Sequence, residues 1–587
     1  MRFSANGKVE SPNWTNESLS DVWVIKGPEL TDAAVQELSR TMNGSVLNIL
    51  VEDPIHLSRL TNATTDPRVQ FDQLPELGAQ APSVWEDAIV RKAERMFARG
   101  AARSSRNLVT KAAQHRDKKH VAMVGAGIVN LITAEYLASR GYRVEVIDGA
   151  PDPRNCEDWT RLGVTHGGGN ARMFTFTECD NYNEKDGKIY ADMQNIFRNT
   201  VQNGCWSVKR PEDFGTFENT WIDDFESVAP CLARIYGEDI FEINAQSGKL
   251  WNEMIDERPD LFQDVFFCPD IIRLYDTDAS VNAAAALNTK LGSLLDAGTP
   301  EAFIEKYPVF HSAIEAGESA GGLTVRGFTV SVHRFCAKLI ERIEALGGSF
   351  RWNCTVDEIL RDGKGEVEAL ACRSGRITAD HYVLSPGVRG NHLLEGTASE
   401  GRIQGILGIW LHLPNLEPKL HNSVKIHRGG HVVEDINVTI GQDEATGEDI
   451  LVLGGGYGYV GMDRPAPDSK ELAALFAEME TVARLYFPQA YEQARANDSF
   501  YPQGHRKFCV RPFTADGLGI FEILPTDDDG QLIITGGHNT GGFAQAPAIA
   551  RAVYRAFEGI EDPMHTWYHP SRRLHAAAYA DVPNPVS

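Results

Sequence analysis

His120-Val-Ala-Met-Val-Gly-Ala-Gly-Ile-Val-Asn130, followed by Arg143-Val-Glu-Val-Ile-Asp148, is the stretch on which the fold turns. Val121–Val124 is a short apolar run that predicts a strand. Gly125 and Gly127, on either side of Ala126, permit a tight turn and close approach of a pyrophosphate to the backbone. The predicted helix from Ile128 sets its positive end at the phosphates. Asn130 stands where a third glycine is usual. It costs close helix–strand packing and leaves a side chain that can bond locally. Asp148 ends the second strand, where an acidic group bonds adenosine ribose hydroxyls. A bare GxGxxN is a weak signal, but strand, helix, strand and acid in this order predict a dinucleotide site.

The far end of the chain returns to glycine. Cys509-Val-Arg-Pro-Phe-Thr-Ala-Asp516 is followed by Gly536-Gly-His-Asn-Thr-Gly-Gly-Phe-Ala-Gln-Ala-Pro547, a loop leading into a helix. Between the two ends lies His166-Gly-Gly-Gly-Asn-Ala-Arg172. Three consecutive glycines imply backbone lying against something flat or tightly curved. Gly169, Arg172 and His166 are therefore candidate contacts to a ligand. The alternative is a surface loop with solvated His166 and Arg172.

The 587 residues suffice for several domains, and 42% hydrophobic with 24% charged content is ordinary for a globular protein. A net charge of −24 argues against nucleic acid and anionic membrane as partners. No apolar run approaches the length that spans a bilayer, and the first residues lack a signal peptide's apolar core. Nine cysteines without a CxxC read as reduced thiols, which points to the cytoplasm. No metal site is expected: the pair His565 and His569 reads as surface residues.

The fold class expected is α/β. A Rossmann-like dinucleotide domain is assembled from residues 119–180, 331–400 and 501–560. A mixed or antiparallel-sheet substrate domain takes 181–330 and 401–500. Residues 1–118 form a mostly helical extension and 561–587 a tail. Residues 1–20 look disordered, Ser45–Val51 reads as strand or helix, and Ser83–Ala102 as an amphipathic helix with Ser83 as its cap.

Taken in order, Val124–Asn130, Asp148, His166–Arg172, Tyr382-Val-Leu-Ser-Pro-Gly387, Arg511-Pro-Phe-Thr-Ala-Asp-Gly517 and Gly541–Pro547 resemble the D-amino-acid oxidase superfamily of FAD enzymes. The likeness covers roughly 119–560. It implies that Gly125, Gly127 and Asp148 hold the ADP half of FAD, and that Val356 meets adenine through its backbone. Pro386 and Gly387 match the turn over the cofactor, and Gly541 and Gly542 the loop beside the flavin. The helix that follows would direct its N-terminus at the flavin C2 carbonyl.

The same likeness implies a role for Arg511 in gripping a substrate carboxylate, with an ion pair inside the sheet as the alternative. A planar guanidinium fork suits a carboxylate bidentately. Cys509 matches the cysteine bonded to flavin in the sarcosine oxidase subgroup, although Val510-Arg-Pro512 departs from that pattern; a simple core thiol is the other reading. Thr175 stands where that subgroup has a second carboxylate-binding arginine. Tyr236 and Tyr275 lie in the expected substrate domain. The implied activity is oxidation of the C–N bond of an amino acid or secondary amine to an imine, with O2 reoxidising the flavin. The alternatives are a 2-hydroxy-acid oxidoreductase and a flavin monooxygenase acting on an amino acid.

Overall fold

The computed structural model describes residues 22–25, 31–33, 35–36, 47–64, 66, 69–74, 82–113, 119–156, 173–179, 183, 195–428, 435–443, 446–463, 469–501 and 504–572. The readings made for residues 1–20, His166, Gly169 and Arg172 lie outside these.

The dinucleotide segment forms as its pattern requires. His120–Val124 and Arg143–Ile147 are parallel neighbours joined through the helix Ile128–Ala138. They lie inside a six-stranded sheet ordered Ser349–Arg351, Arg143–Ile147, His120–Val124, His381–Leu384, Gln531–Gly536, Ile520–Pro525. The first five strands run parallel and the last is antiparallel. Three stretches of chain, far apart in sequence, thus build one Rossmann-like sheet. Buried on both faces, its strands are near-continuous apolar runs such as Leu532–Ile534 and Val121–Met123. The helices Val332–Ala345 and Gly542–Phe557 join Ile128–Ala138 in the core that covers it.

A nine-stranded sheet forms the second layer. From one edge it runs Phe508–Phe513, Gln404–Pro414, Asp449–Gly461, Asp435–Gln442, Ser423–His427, Cys268–Tyr275, Gly321–Thr329 and Met173–Thr175, with Leu294–Asp296 pairing on Gly321–Thr329. The strand of Cys509 and Arg511 is therefore the edge of the large sheet, although its sequence continues directly into the dinucleotide sheet. The runs Ile403–Leu413, Ser423–His427 and Ile450–Gly454 predict strands from sequence, and each falls on a strand of this sheet. The 28-residue helix Pro230–Glu257 spans a region whose sequence shows only mixed aromatics and short runs.

The N-terminal extension carries the helices Pro54–Ala63, Pro82–Ala101 and Arg103–Ala112. It also carries a three-stranded parallel sheet, Val22–Ile25, Leu47–Val51 and Val69–Gln73. Asp53 caps the first helix, accepting from the Ile55 amide at 3.0 Å and the His56 amide at 3.3 Å. Ser83 falls inside the helix Pro82–Ala101 rather than ahead of it. That helix buries Ile89, Ala93 and Met96 against Leu50 and Leu74, the face its periodicity predicts. Its Arg95 donates to Asp239 Oδ2 at 2.6 Å and stacks 3.8 Å from the centre of the Trp567 ring, docking the extension on the body.

Candidate functional site

A cavity of about 920 Å³ runs from the glycine turn of the dinucleotide sheet to the face and edge of the large sheet. At its first end, Gly125 has φ +98°, and a Cβ there would lie 2.4 Å from the Ser385 carbonyl oxygen. Glycine at 125 is required by the protein itself. Gly127 is different: a Cβ built on it meets no protein atom within 4 Å, and the residue lines the cavity. The space beside it suits a phosphate at the N-terminus of the helix it caps.

Asp148 is held by this turn. Its Oδ2 accepts from the Ala126 amide at 2.6 Å and its Oδ1 from the Ala150 amide at 2.7 Å. Burial raises its pKa against those two stabilising bonds. Asn130 bonds locally, as its position suggests, donating to Val124 O at 3.1 Å and Gly125 O at 2.6 Å. The amide clamps the turn where a third glycine would have let the helix approach. Val356, Pro386 and Gly387 line the same end of the cavity, Gly387 at φ +61°.

At the other end, Gly541 caps the 16-residue helix Gly542–Phe557, and Gly542 with His538 lines the wall. The helix presents its positive end to the cavity. Asn539 at φ +52° holds the loop before it: its Oδ1 accepts from the Thr514 amide at 2.9 Å and its Nδ2 donates to Gly517 O at 2.7 Å. Asp516 is turned away from the cavity into a buried pair with Arg572, Nη2 to Oδ1 at 2.6 Å. Thr-x-Asp is thus a structural corner here, and Arg572, which the sequence reading passed over, completes it.

Arg511 lies in the cavity wall. Its Nη2 donates to Leu407 O at 3.0 Å and to Gly456 O, and its guanidinium lies 5.1 Å from the centre of the Tyr457 ring. Among the described residues no carboxylate pairs with it, so the ion pair inside the sheet is not found there. Cys509 precedes it by two residues on the same strand and lines the same cavity.

Several expected residues lie elsewhere. Tyr236 is buried away from the cavity, and Tyr275 packs 5.5 Å from the His427 ring without lining it. Thr175 donates to Glu178 Oε1 at 2.9 Å and accepts from Arg273 at 2.8 Å. His565 and His569 are buried, not surface residues: His565 accepts from the Asp562 amide through Nδ1 and meets Ala552 O through Nε2 at 2.8 Å. They fail as surface residues because the tail packs under the dinucleotide sheet, which spacing does not reveal. The wall also contains Trp410, Lys425, Asp435, Asn437 and Glu178, none of them singled out by a motif. Among the described residues, no cluster of three or more metal-ligating side chains occurs, and no helix is long and apolar enough to cross a membrane.

A family model described as FAD dependent oxidoreductase matches residues 120–556. D-amino acid dehydrogenase of Vibrio cholerae serotype O1 is 24% identical over 236 residues, 40% of this chain and 50% of that protein. D-amino acid dehydrogenase of Vibrio atlanticus is 25% identical over 218 residues, 37% and 46% of the two chains. The chain spans about half the length of the curated relatives it matches. Glycine oxidase from Geobacillus kaustophilus superposes with a TM-score of 0.48 at 17% identity, covering 78% of this chain and all of that one. L-proline dehydrogenase from P. horikoshii gives 0.47 at 14%, covering 78% and 97%.

Proposed function

Since the chain belongs to the FAD dependent oxidoreductase family, we propose that it oxidises the C–N bond of an amino acid, or of a secondary amine bearing a carboxylate, to an imine. FAD, when bound, supplies the two-electron acceptor; the protein supplies binding, orientation and electrostatics. Gly125, Ala126 and Gly127 form the turn that would take the pyrophosphate, with Asn130 bracing it. Asp148 and the Val356 backbone would hold the adenosine half. Pro386, Gly387, Gly541 and Gly542 would flank the ring system, with Gly169 and Arg172 joining them. His166 and Arg172 are proposed to approach the substrate. Cys509 is proposed as the point of covalent attachment.

The observation that carries this reading is Arg511. A guanidinium fixed by backbone carbonyls and without a carboxylate partner among the described residues is a ready receptor for one. Its fixed position would hold the substrate in one orientation. The relatives named D-amino acid dehydrogenase support an amino acid as that substrate. A 2-hydroxy acid would offer Arg511 the same carboxylate, so the two must be separated by chemistry.

The test is anaerobic titration of the yellow protein with both enantiomers of amino acids, with N-methyl amino acids and with 2-hydroxy acids. Bleaching by the first two classes is expected. Bleaching by hydroxy acids alone would replace this reading. Readmitting O2 and measuring peroxide then tests oxygen as the acceptor.

A further inference from the structure

Five strands of the large sheet place a row of residues side by side across it. Trp410 pairs with Gly454, Gly454 with Asn437, Asn437 with Lys425, and Lys425 with Arg273. Residues directly opposite across a ladder point to the same face. Trp410, Asn437 and Lys425 all line the cavity. Gly454, between Trp410 and Asn437, puts no side chain into the row. The two backbones that flank it stand about 10 Å apart, two strand spacings. The row thus leaves a slot between its tryptophan and its asparagine, where the intervening residue has no side chain.

Two polar atoms in this slot have no hydrogen-bond partner among the described residues. They are the Trp410 indole N–H, on a side chain that is 4% exposed, and the buried Asn437 Oδ1. One is a donor and the other an acceptor. Leaving such groups buried and unpaired is costly, and native proteins rarely do so without a ligand or water to satisfy them.

The charged end of the row makes no such demand. Lys425 Nζ lies 3.3 Å from Asp435 Oδ2 and 3.8 Å from Glu178 Oε1, and Arg273 lies 3.8 Å from Glu178 Oε1. Among the described residues two cations face two carboxylates. A charged ligand group placed beside them would have to be desolvated, a cost that an uncharged group avoids.

We propose that Trp410 and Asn437 form a subsite for a carboxamide on the substrate, its carbonyl accepting from the Trp410 indole N–H and its N–H donating to Asn437 Oδ1. A carboxamide offers one acceptor and one adjacent donor without charge. This proposal rests on the reading of Arg511 as the anchor for the substrate's carboxylate. The amide can belong to a side chain or to a peptide-type linkage, since both present the same pair of groups.

Binding of non-oxidisable acids to the FAD-loaded enzyme, measured by titration calorimetry, tests the subsite apart from turnover. Glutaramate and the shorter succinamate carry the amide; glutarate and 5-methylhexanoate replace it with a charge or with methyl groups; N-methylglutaramate stands for a peptide-type amide. At least one amide acid should bind tenfold or more tightly than glutarate and 5-methylhexanoate. The tighter of glutaramate and N-methylglutaramate identifies the source of the amide. Trp410→Phe and Asn437→Leu should each bring the amide-to-methyl ratio within about twofold, whereas a structural role would weaken all ligands alike. Equal affinity across the panel, or a preference for glutarate, overturns the subsite and leaves the Arg511 reading standing. No binding by any of these acids overturns the carboxylate reading, and the subsite with it.

Discussion

Arg511 donates through Nη2 to the carbonyl of Leu407 at 3.0 Å, so a strand of the large sheet, not a carboxylate, fixes this guanidinium in the cavity wall. The bond to Gly456 O, on the next strand, fixes it from a second side. Lysine cannot reproduce this, because a single ammonium has neither the planar fork nor the reach to both carbonyls and a ligand. Arg511→Met, which removes the charge as well as the fork, should raise the barrier that kcat/KM reports for a carboxylate substrate by about 2–5 kcal/mol, the range for losing one partner of a desolvated charge pair. The FAD content should stay at the wild-type level. An unchanged kcat/KM would assign Arg511 to holding the sheet edge.

The two glycines of the turn should fail differently. At Gly125 a side chain is strained at φ +98° and collides with Ser385 O, so Gly125→Ala should lower the melting temperature of the protein even without cofactor. At Gly127, with φ −70° and open space, Gly127→Val should leave the apoprotein's melting temperature nearly unchanged. It should nevertheless abolish FAD retention, because the side chain occupies the pyrophosphate approach. Thermal unfolding and flavin absorbance on the same two variants check this. Full FAD content in Gly127→Val would remove the pyrophosphate from that turn.

The dinucleotide half was legible because its signals are local. Strand, glycine turn, helix and terminal acid lie within about thirty residues, each with its own physical requirement. The substrate side was not legible, because it depends on register between distant strands. Trp410, Asn437 and Lys425 become neighbours only through three strand pairings, and no spacing in sequence encodes them. Asp516 was visible as part of a motif, yet its partner Arg572 comes from the tail, whose histidines read as solvated. The small sheet of the extension was hidden for a similar reason: Leu47–Val51 is short and apolar, and strand and helix look alike at that length.

Of the ion pairs that tie the extension to the body, Arg95–Asp239 is the most buried among the described residues. Asp239 is almost wholly buried, and burial pushes its carboxyl up to about 6 even with Arg95 beside it. Arg95→Ala leaves that carboxyl unpaired and removes the stack on Trp567, so it should cost about 3 kcal/mol in denaturant unfolding. Adding Asp239→Asn should recover much of the loss, because an amide needs no counter-charge. A double variant as unstable as the single one would move the importance of Arg95 from the ion pair to the aromatic contact.

Cys509 should retain the flavin after denaturation. The covalent attachment proposed for Cys509 requires it to face the cofactor cavity, and it lines the cavity wall two residues from Arg511. Acid precipitation should give a yellow pellet with a mass one FAD above the chain, and Cys509→Ser should release all colour to the supernatant. Flavin that washes freely out of the wild type would return Cys509 to a small packing residue.

Acid should weaken the tail's attachment through its histidines. Burial, and then the charge of Arg572, lowers His569 to about 4, while Nδ1 accepts from the Ser571 amide at 3.2 Å. The unfolded chain takes up this proton near 6.5 and the folded one does not, so stability rises with pH between about 4 and 6.5. The contribution is fully present above 6.5 and lost as pH falls through about 4. Between pH 7.5 and 4.5 it amounts to about 2.5 kcal/mol. Asp239 opposes it: a carboxyl raised to about 6 makes stability fall as pH rises through 4 to 6. The wild-type slope is therefore a difference, and a variant must isolate the histidine. His569→Asn keeps an acceptor for the Ser571 amide and cannot be protonated. Urea unfolding at pH 7.5 and 4.5 should show the variant losing about 2.5 kcal/mol less than the wild type on acidification. Equal losses in the two proteins would mean that His569 is solvated enough to titrate as it does in the unfolded chain.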